Sequence, residues 1–185
     1  MKFIKFLIII FISLTTSIKA DFNKNLINQL EGGGKLIFIR HAYAPGNGDP
    51  NNFNLNDCST QRNLNADGRR QSKFIGEFFR KNKIKIHKVL SSEWCRCKET
   101  ANIAFKDFST NSFLNSFYSS KFKKNKLKQV EELNNYVKKF KSNKNLVFVT
   151  HYVLISEVLN YGPSSGEIVV SDKNFNIIGT IEINF

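Results

Sequence analysis

Proline occurs only three times in 185 residues, methionine and tryptophan once each, and arginine six times. So little proline excludes collagen-like and polyproline architectures. Three cysteines are too few for a disulfide scaffold that replaces a hydrophobic core. Outside Phe6–Leu14, no apolar run approaches the length that spans a bilayer. Acidic residues are also scarce, 15 against 28 Lys and Arg, giving a formal charge of +13. Such a balance invites a nucleic-acid partner, but six Arg and no stacking motif or recognition module argue against one. The 22 Lys and 23 Asn accompany abundant Ile and Phe, and all four have AT-rich codons. Codon bias is therefore as good a source of the charge as a nucleic-acid partner. What is present is a 41% hydrophobic chain with 18 Phe, enough for one domain with a real core.

Residues 1–20 read as a secretory signal. Lys2 and Lys5 precede the nine-residue run Phe6–Leu14, apolar apart from Ser13, and Ile18-Lys19-Ala20 ends in a small residue suited to cleavage. Nine helical residues rise only about 14 Å, too short for a membrane anchor. Removal of Lys2, Lys5 and Lys19 lowers the charge from +13 to +10. The expected location is periplasmic or secreted, where disulfides persist. Cys58 is then expected to pair with Cys95 or Cys97, because a Cys95–Cys97 bridge would be strained. One thiol is left over. No ligand spacing suits zinc, and neither metal nor cofactor is expected.

The remaining residues, 21–185, read as one domain. Residues 22–31 suit a short helix ended by Gly32-Gly33-Gly34. Lys35–Arg40, Ile86–Leu90 and Leu146–Thr150 are short apolar, β-rich runs. Helices are expected over 67–81, 95–105, 126–140 and 152–159. A third strand is expected within 111–118, and a terminal pair at 167–170 and 177–183. Residues 42–65, rich in Asn, Gly, Pro and Asp, form a long loop of the kind that usually carries function. Strands alternating with helices predict an α/β three-layer sandwich with a mostly parallel central sheet. Ligands in such folds bind beyond the carboxyl ends of the strands. Three strand ends there carry polar residues: Arg40-His41, Ser91-Ser92 and Thr150-His151.

Two of only three histidines thus follow predicted buried strands. Neutral imidazole is a nucleophile near pH 7, and guanidinium forks grip phosphate oxygens in pairs. His41 and His151 with Arg40 and Arg96 suit phosphoryl transfer. The ordered set resembles the histidine phosphatase superfamily, also called phosphoglycerate-mutase-like. The resemblance rests on Leu36-Ile37-Phe38-Ile39-Arg40-His41-Ala42, with Ala42 where the family has Gly. It continues through Gln61-Arg62-Asn63-Leu64, Gly68-Arg69-Arg70-Gln71, Ser92 with Arg96 and Thr100-Ala101, and Val147-Phe148-Val149-Thr150-His151. The Gly triplet and Ser165-Gly166-Glu167 are similar to the exported branch that includes lipopolysaccharide-core phosphatase-like proteins.

The resemblance implies a phosphoglycerate-mutase-like fold and hydrolysis of phosphate monoesters through a phosphohistidine on His41. Arg40, Arg96 and His151 would hold the phosphoryl oxygens. Arg62, Ser92 and Thr150 are candidates for substrate binding or for orienting neighbours. A leaving alkoxide needs a proton, yet Phe108–Val130, where many members place a Glu, contains no acid. Glu167 ranks first as donor, followed by Glu93, Asp57 and Asp49. The substrate implied is a phosphorylated small molecule or envelope sugar phosphate. The Lys121–Lys128 run suits a solvated helix start, or weak attraction to an anionic membrane surface. A non-catalytic phosphate-binding protein and a phosphomutase are the competing readings.

Overall fold

The computed structural model describes residues 24–183, so the expected signal at 1–20 lies outside the described residues. Residues 24–32 are helical (α1) and lead to strand β1, Leu36–Arg40. There follow α2 (Ala66–Lys81), β2 (Ile86–Ser91), α3 (Cys95–Phe105), β3 (Ser109–Thr110), α4 (Ser120–Lys123) and α5 (Lys126–Lys139). The chain closes with β4 (Asn145–Thr150), α6 (Tyr152–Leu159), β5 (Ile168–Ser171) and β6 (Ile177–Ile181). The six strands form one sheet in the order β3-β2-β4-β1-β5-β6. The first four are parallel to one another, β5 pairs antiparallel with β1, and β6 pairs antiparallel with β5.

Alternation along the strands divides the core. Ile37, Ile39, Val147 and Val149 face one layer, packed with Leu26 and Leu30 of α1, Ile75 and Phe79 of α2, and Ala101 and Ala104 of α3. Leu36, Phe38, Leu146 and Phe148 face the other, packed with Leu133 and Val137 of α5 and Leu154 and Ile155 of α6. Strands buried on both faces read as continuous apolar runs, which is why KLIFIR and NLVFVT show no polar alternation. The three-layer arrangement is as the sequence predicts.

Two local details set the layers. α2 starts at Ala66, where the Asn65 side chain caps it by accepting the Gly68 N–H at 2.9 Å. Gly76 lets α2 lie against α3, because a Cβ there would stand 2.4 Å from the Ala104 carbonyl oxygen. At the amino end of the sheet, Asn145 joins three elements: its Nδ2 donates to the carbonyls of Leu30 and Lys85, and its Oδ1 accepts from Lys35 N.

The expected strand within 111–118 is not there. The strand is the two-residue β3, and the segment after it turns into a 3-10 helix, Ser112–Leu114. The Asn111 side chain accepts from Phe113 N and starts that turn. Phe113, Leu114 and Phe117 are all buried, a spacing that no strand alternation accommodates.

Candidate active site

β2, β4 and β1 are neighbours, so their carboxyl ends bring Ser92, His151 and His41 to one edge of the sheet. The backbone fixes them there. His41 N donates to the Thr150 carbonyl and Ser92 N to the Val149 carbonyl, both at 2.9 Å. Both histidines are buried, with ring centroids 5.5 Å apart. The Nδ1 of His41 lies 2.8 Å from the Ala42 carbonyl oxygen, which can only accept. Nδ1 therefore carries the proton, and Nε2 presents a lone pair. Burial, then the charge of Arg96, holds this imidazole well below its usual pKa, so it is neutral and nucleophilic. Ala42 replaces glycine without strain, since its φ is not positive.

His151 is oriented by a relay. Asn115 Oδ1 accepts from Glu93 N and from the Ser92 hydroxyl, leaving the Ser92 oxygen to accept His151 Nε2–H at 2.8 Å. Burial and Arg96 also push the His151 pKa well down. Arg40 donates through Nη1 to the Pro163 carbonyl at 2.9 Å and stands 5.5 Å over the Tyr152 ring. The Nε atoms of Arg40 and Arg96 are both buried and without a partner.

The long loop closes on Arg96. Asp49 Oδ1 accepts from Arg96 Nη1 at 2.6 Å and Oδ2 from Nη2 at 3.2 Å. Arg62 donates its backbone N–H to Asp49 Oδ1, and its guanidinium is spent on the carbonyls of Gly48 and Ala44. Arg62 therefore orders the loop while still lining the cavity. A Cys58–Cys95 disulfide ties this loop to the start of α3, one residue before Arg96. Cys97 is the free thiol, buried 3.5 Å from His151 Nε2, and burial pushes its pKa up to about 12.

These groups open into a cavity of about 430 Å³. Arg40, His41, Arg62, Arg96 and His151 line it together. Five predicted candidates do not line it. Ser92 and Thr150, candidates for substrate binding or for orienting neighbours, are fully buried and bonded within the protein, Ser92 to His151 and Asn115, Thr150 to the Leu114 carbonyl. Both position neighbours, the second of those two roles. Glu167, the first-ranked proton donor, is turned away: its carboxylate accepts from the Tyr161 hydroxyl at 2.6 Å and Ser164 N at 2.7 Å. Glu93 bonds Asn115, and exposed Asp57 caps the 3-10 helix Cys58–Thr60. Sequence reasoning missed Asn115, Tyr118 and Tyr152, whose types and spacing carry no signal. Trp94 also lines the cavity, and its indole donates to Asp49 at 3.1 Å.

Two arginines and a nucleophilic imidazole in the lining of one cavity suit a phosphoryl group, whose oxygens take guanidinium donors and whose phosphorus takes the nucleophile. Residues 36–114 match the family model of the histidine phosphatase superfamily (branch 1). The matched segment contains Arg40, His41, Arg62 and Arg96, and the fold adds His151 from outside it. Among solved structures, phosphoglycerate mutase from Thermus thermophilus aligns at TM-score 0.59 and 16% identity, covering 81% of this chain and 99% of its own. The protein histidine phosphatase SixA complexed with tungstate aligns at 0.53 and 14%, covering 77% and 92%. An open-reading-frame product of Mycobacterium tuberculosis aligns at 0.54 and 13%, covering 74% and 89%. These likenesses establish a phosphoglycerate-mutase-like fold. No curated protein matches the chain. The segment match and the fold together support the histidine phosphatase superfamily.

Proposed function

We propose that this chain is an exported histidine phosphatase that transfers a phosphoryl group from a phosphorylated small molecule, phosphate monoesters included, to water. The observation that carries the reading is that Arg40, Arg96 and neutral His41 line one cavity together. The His41 Nε2 lone pair attacks phosphorus, and the bond to the leaving group breaks with its electron pair. Arg40 and Arg96 hold the equatorial oxygens, whose charge grows in the transition state, and His151 lines the site beside them with its Nε2–H held by Ser92. Water then attacks the phosphohistidine, and the N–P electron pair returns to His41.

Export is part of the proposal. The charged and apolar N-terminal pattern supports it, as does a disulfide of the kind that persists outside reducing compartments. An envelope sugar phosphate of the lipopolysaccharide-core type is one substrate compatible with that location. Among the described residues no helix is long and apolar enough to cross a membrane.

The test is a panel of phosphorylated compounds offered to the purified chain and to His41→Ala, with acid-labile phosphoprotein followed in parallel. Turnover and labelling that both vanish in His41→Ala support the reading. Tight phosphate binding with no turnover across the panel would favour a binding protein instead. Phosphoryl return to a second hydroxyl of the substrate, without release of phosphate, would favour a mutase.

A further inference from the structure

A phosphatase acting on ordinary alkyl phosphates needs an acid to protonate the departing alkoxide, and that acid contributes about 10²- to 10⁴-fold. Among the described residues lining the cavity, Asp49 is the one carboxylate. Four N–H donors saturate it: Arg96 Nη1 and Arg62 N on Oδ1, Arg96 Nη2 and Trp94 Nε1 on Oδ2. A protonated carboxyl would set an O–H against one of these donors, so the arrangement accepts only the carboxylate. The two histidines cannot substitute, since one is the nucleophile and the other donates its Nε2 proton to Ser92.

The rest of the lining suits a different kind of leaving group. Tyr118, Phe122 and Tyr152 present aromatic surface, and Lys121 adds a cation. Rings accept planar groups by stacking, and an ammonium stabilises a departing anion.

We propose that the cavity acts on phosphoryl compounds whose leaving group departs as a stabilised anion, acyl and aryl phosphates, with Asp49 serving as the positioning residue for Arg96 rather than as an acid. This rests on the phosphatase reading above. For an acyl phosphate, His41 Nε2 forms the N–P bond while the P–O bond breaks and its electron pair leaves as a carboxylate. Water oxygen then bonds phosphorus, the N–P pair returns to His41, and both water protons leave with the product as dihydrogen phosphate.

The experiment compares kcat/KM of the full chain for acetyl phosphate, p-nitrophenyl phosphate, phenyl phosphate and glycerol phosphate, in wild type and Asp49→Asn. The expected result is a steep fall along that series, reaching about a thousandfold at the alkyl ester. Asp49→Asn should lower all four rates by a similar factor and leave their ratios within about threefold, because it disturbs Arg96 and removes no proton donor. Glycerol phosphate turned over within about tenfold of acetyl phosphate would overturn the proposal. So would an Asp49→Asn variant that loses the alkyl ester selectively. A chain that shows no His41-dependent labelling or turnover with any of the four fails at the phosphatase reading itself, an outcome distinct from a flat series.

Discussion

Arg96 meets Asp49 through both ends of its guanidinium fork, at 2.6 and 3.2 Å, and leaves its buried Nε–H without a partner. The carboxylate thus fixes the plane of the guanidinium through both Nη atoms. Burial of Arg96 to 3% exposure makes this geometry costly to disturb.

Arg96→Lys should therefore be far from conservative. A point-charge ammonium cannot bridge both Asp49 oxygens and also reach the phosphoryl group. Loss of one preorganised oxyanion donor costs about 10²- to 10³-fold in rate. Steady-state kinetics on p-nitrophenyl phosphate should show that fall in kcat/KM, with phosphate inhibition weakened in step.

Stability should fall as pH drops below about 6.5, the ordinary histidine value. The sign follows from His41 and His151, whose folded pKa values lie well below that of the unfolded chain. Between the folded and unfolded values the unfolded state binds more protons, so stability is complete above about 6.5 and is lost as pH falls. Each histidine contributes a slope of up to about 1.4 kcal/mol per pH unit. Urea unfolding at a series of pH values checks this, and NMR should show neither ring titrating near 6.5.

Breaking the disulfide with Cys58→Ser should lower stability by about 4 kcal/mol, from the chain entropy of a closed loop of this length. The linked residues are 37 apart in sequence. Urea midpoints of the oxidised wild type and the variant measure the loss. Cys97 should stay unreactive toward a thiol reagent in the folded protein, because it is buried and its pKa is pushed up to about 12. Fast labelling without denaturant would contradict the structure.

Gly76→Ala should destabilise even though alanine favours helix by about 1 kcal/mol. The added Cβ would meet backbone of α3, at the Ala104 oxygen and Cα, which cannot swing aside as a side chain does. Overpacking of this kind costs about 1–3 kcal/mol. Thermal melts of wild type and variant should show a lower midpoint, with activity at 25 °C retained.

The layers were legible because strands buried on both faces write themselves as apolar runs, and LIFIR and NLVFVT are such runs. His41 and His151 were legible by position, each standing directly after one of them. Side-chain direction was not. Glu167 follows a turn near the right edge of the sheet, yet its carboxylate is taken by Tyr161 and Ser164, partners only three to six residues away. Asp49 lies 47 residues from Arg96, in a loop with no periodicity to fix its place. The missing strand at 111–118 failed for another reason: an asparagine side chain competed with the sheet for a backbone N–H.

The staple between Cys58 and Cys95 has a further consequence for how the pocket comes together. Along the chain, the ends of the Asp49–Arg96 pair are separated by 47 residues. Through the disulfide the path is nine residues from Asp49 to Cys58 and one from Cys95 to Arg96. Loop-closure entropy grows with the logarithm of path length, so this shortcut favours formation of the ion pair by about 1.3 kcal/mol, roughly a tenfold gain. Oxidation of two cysteines thus concentrates a carboxylate around the arginine that it must find.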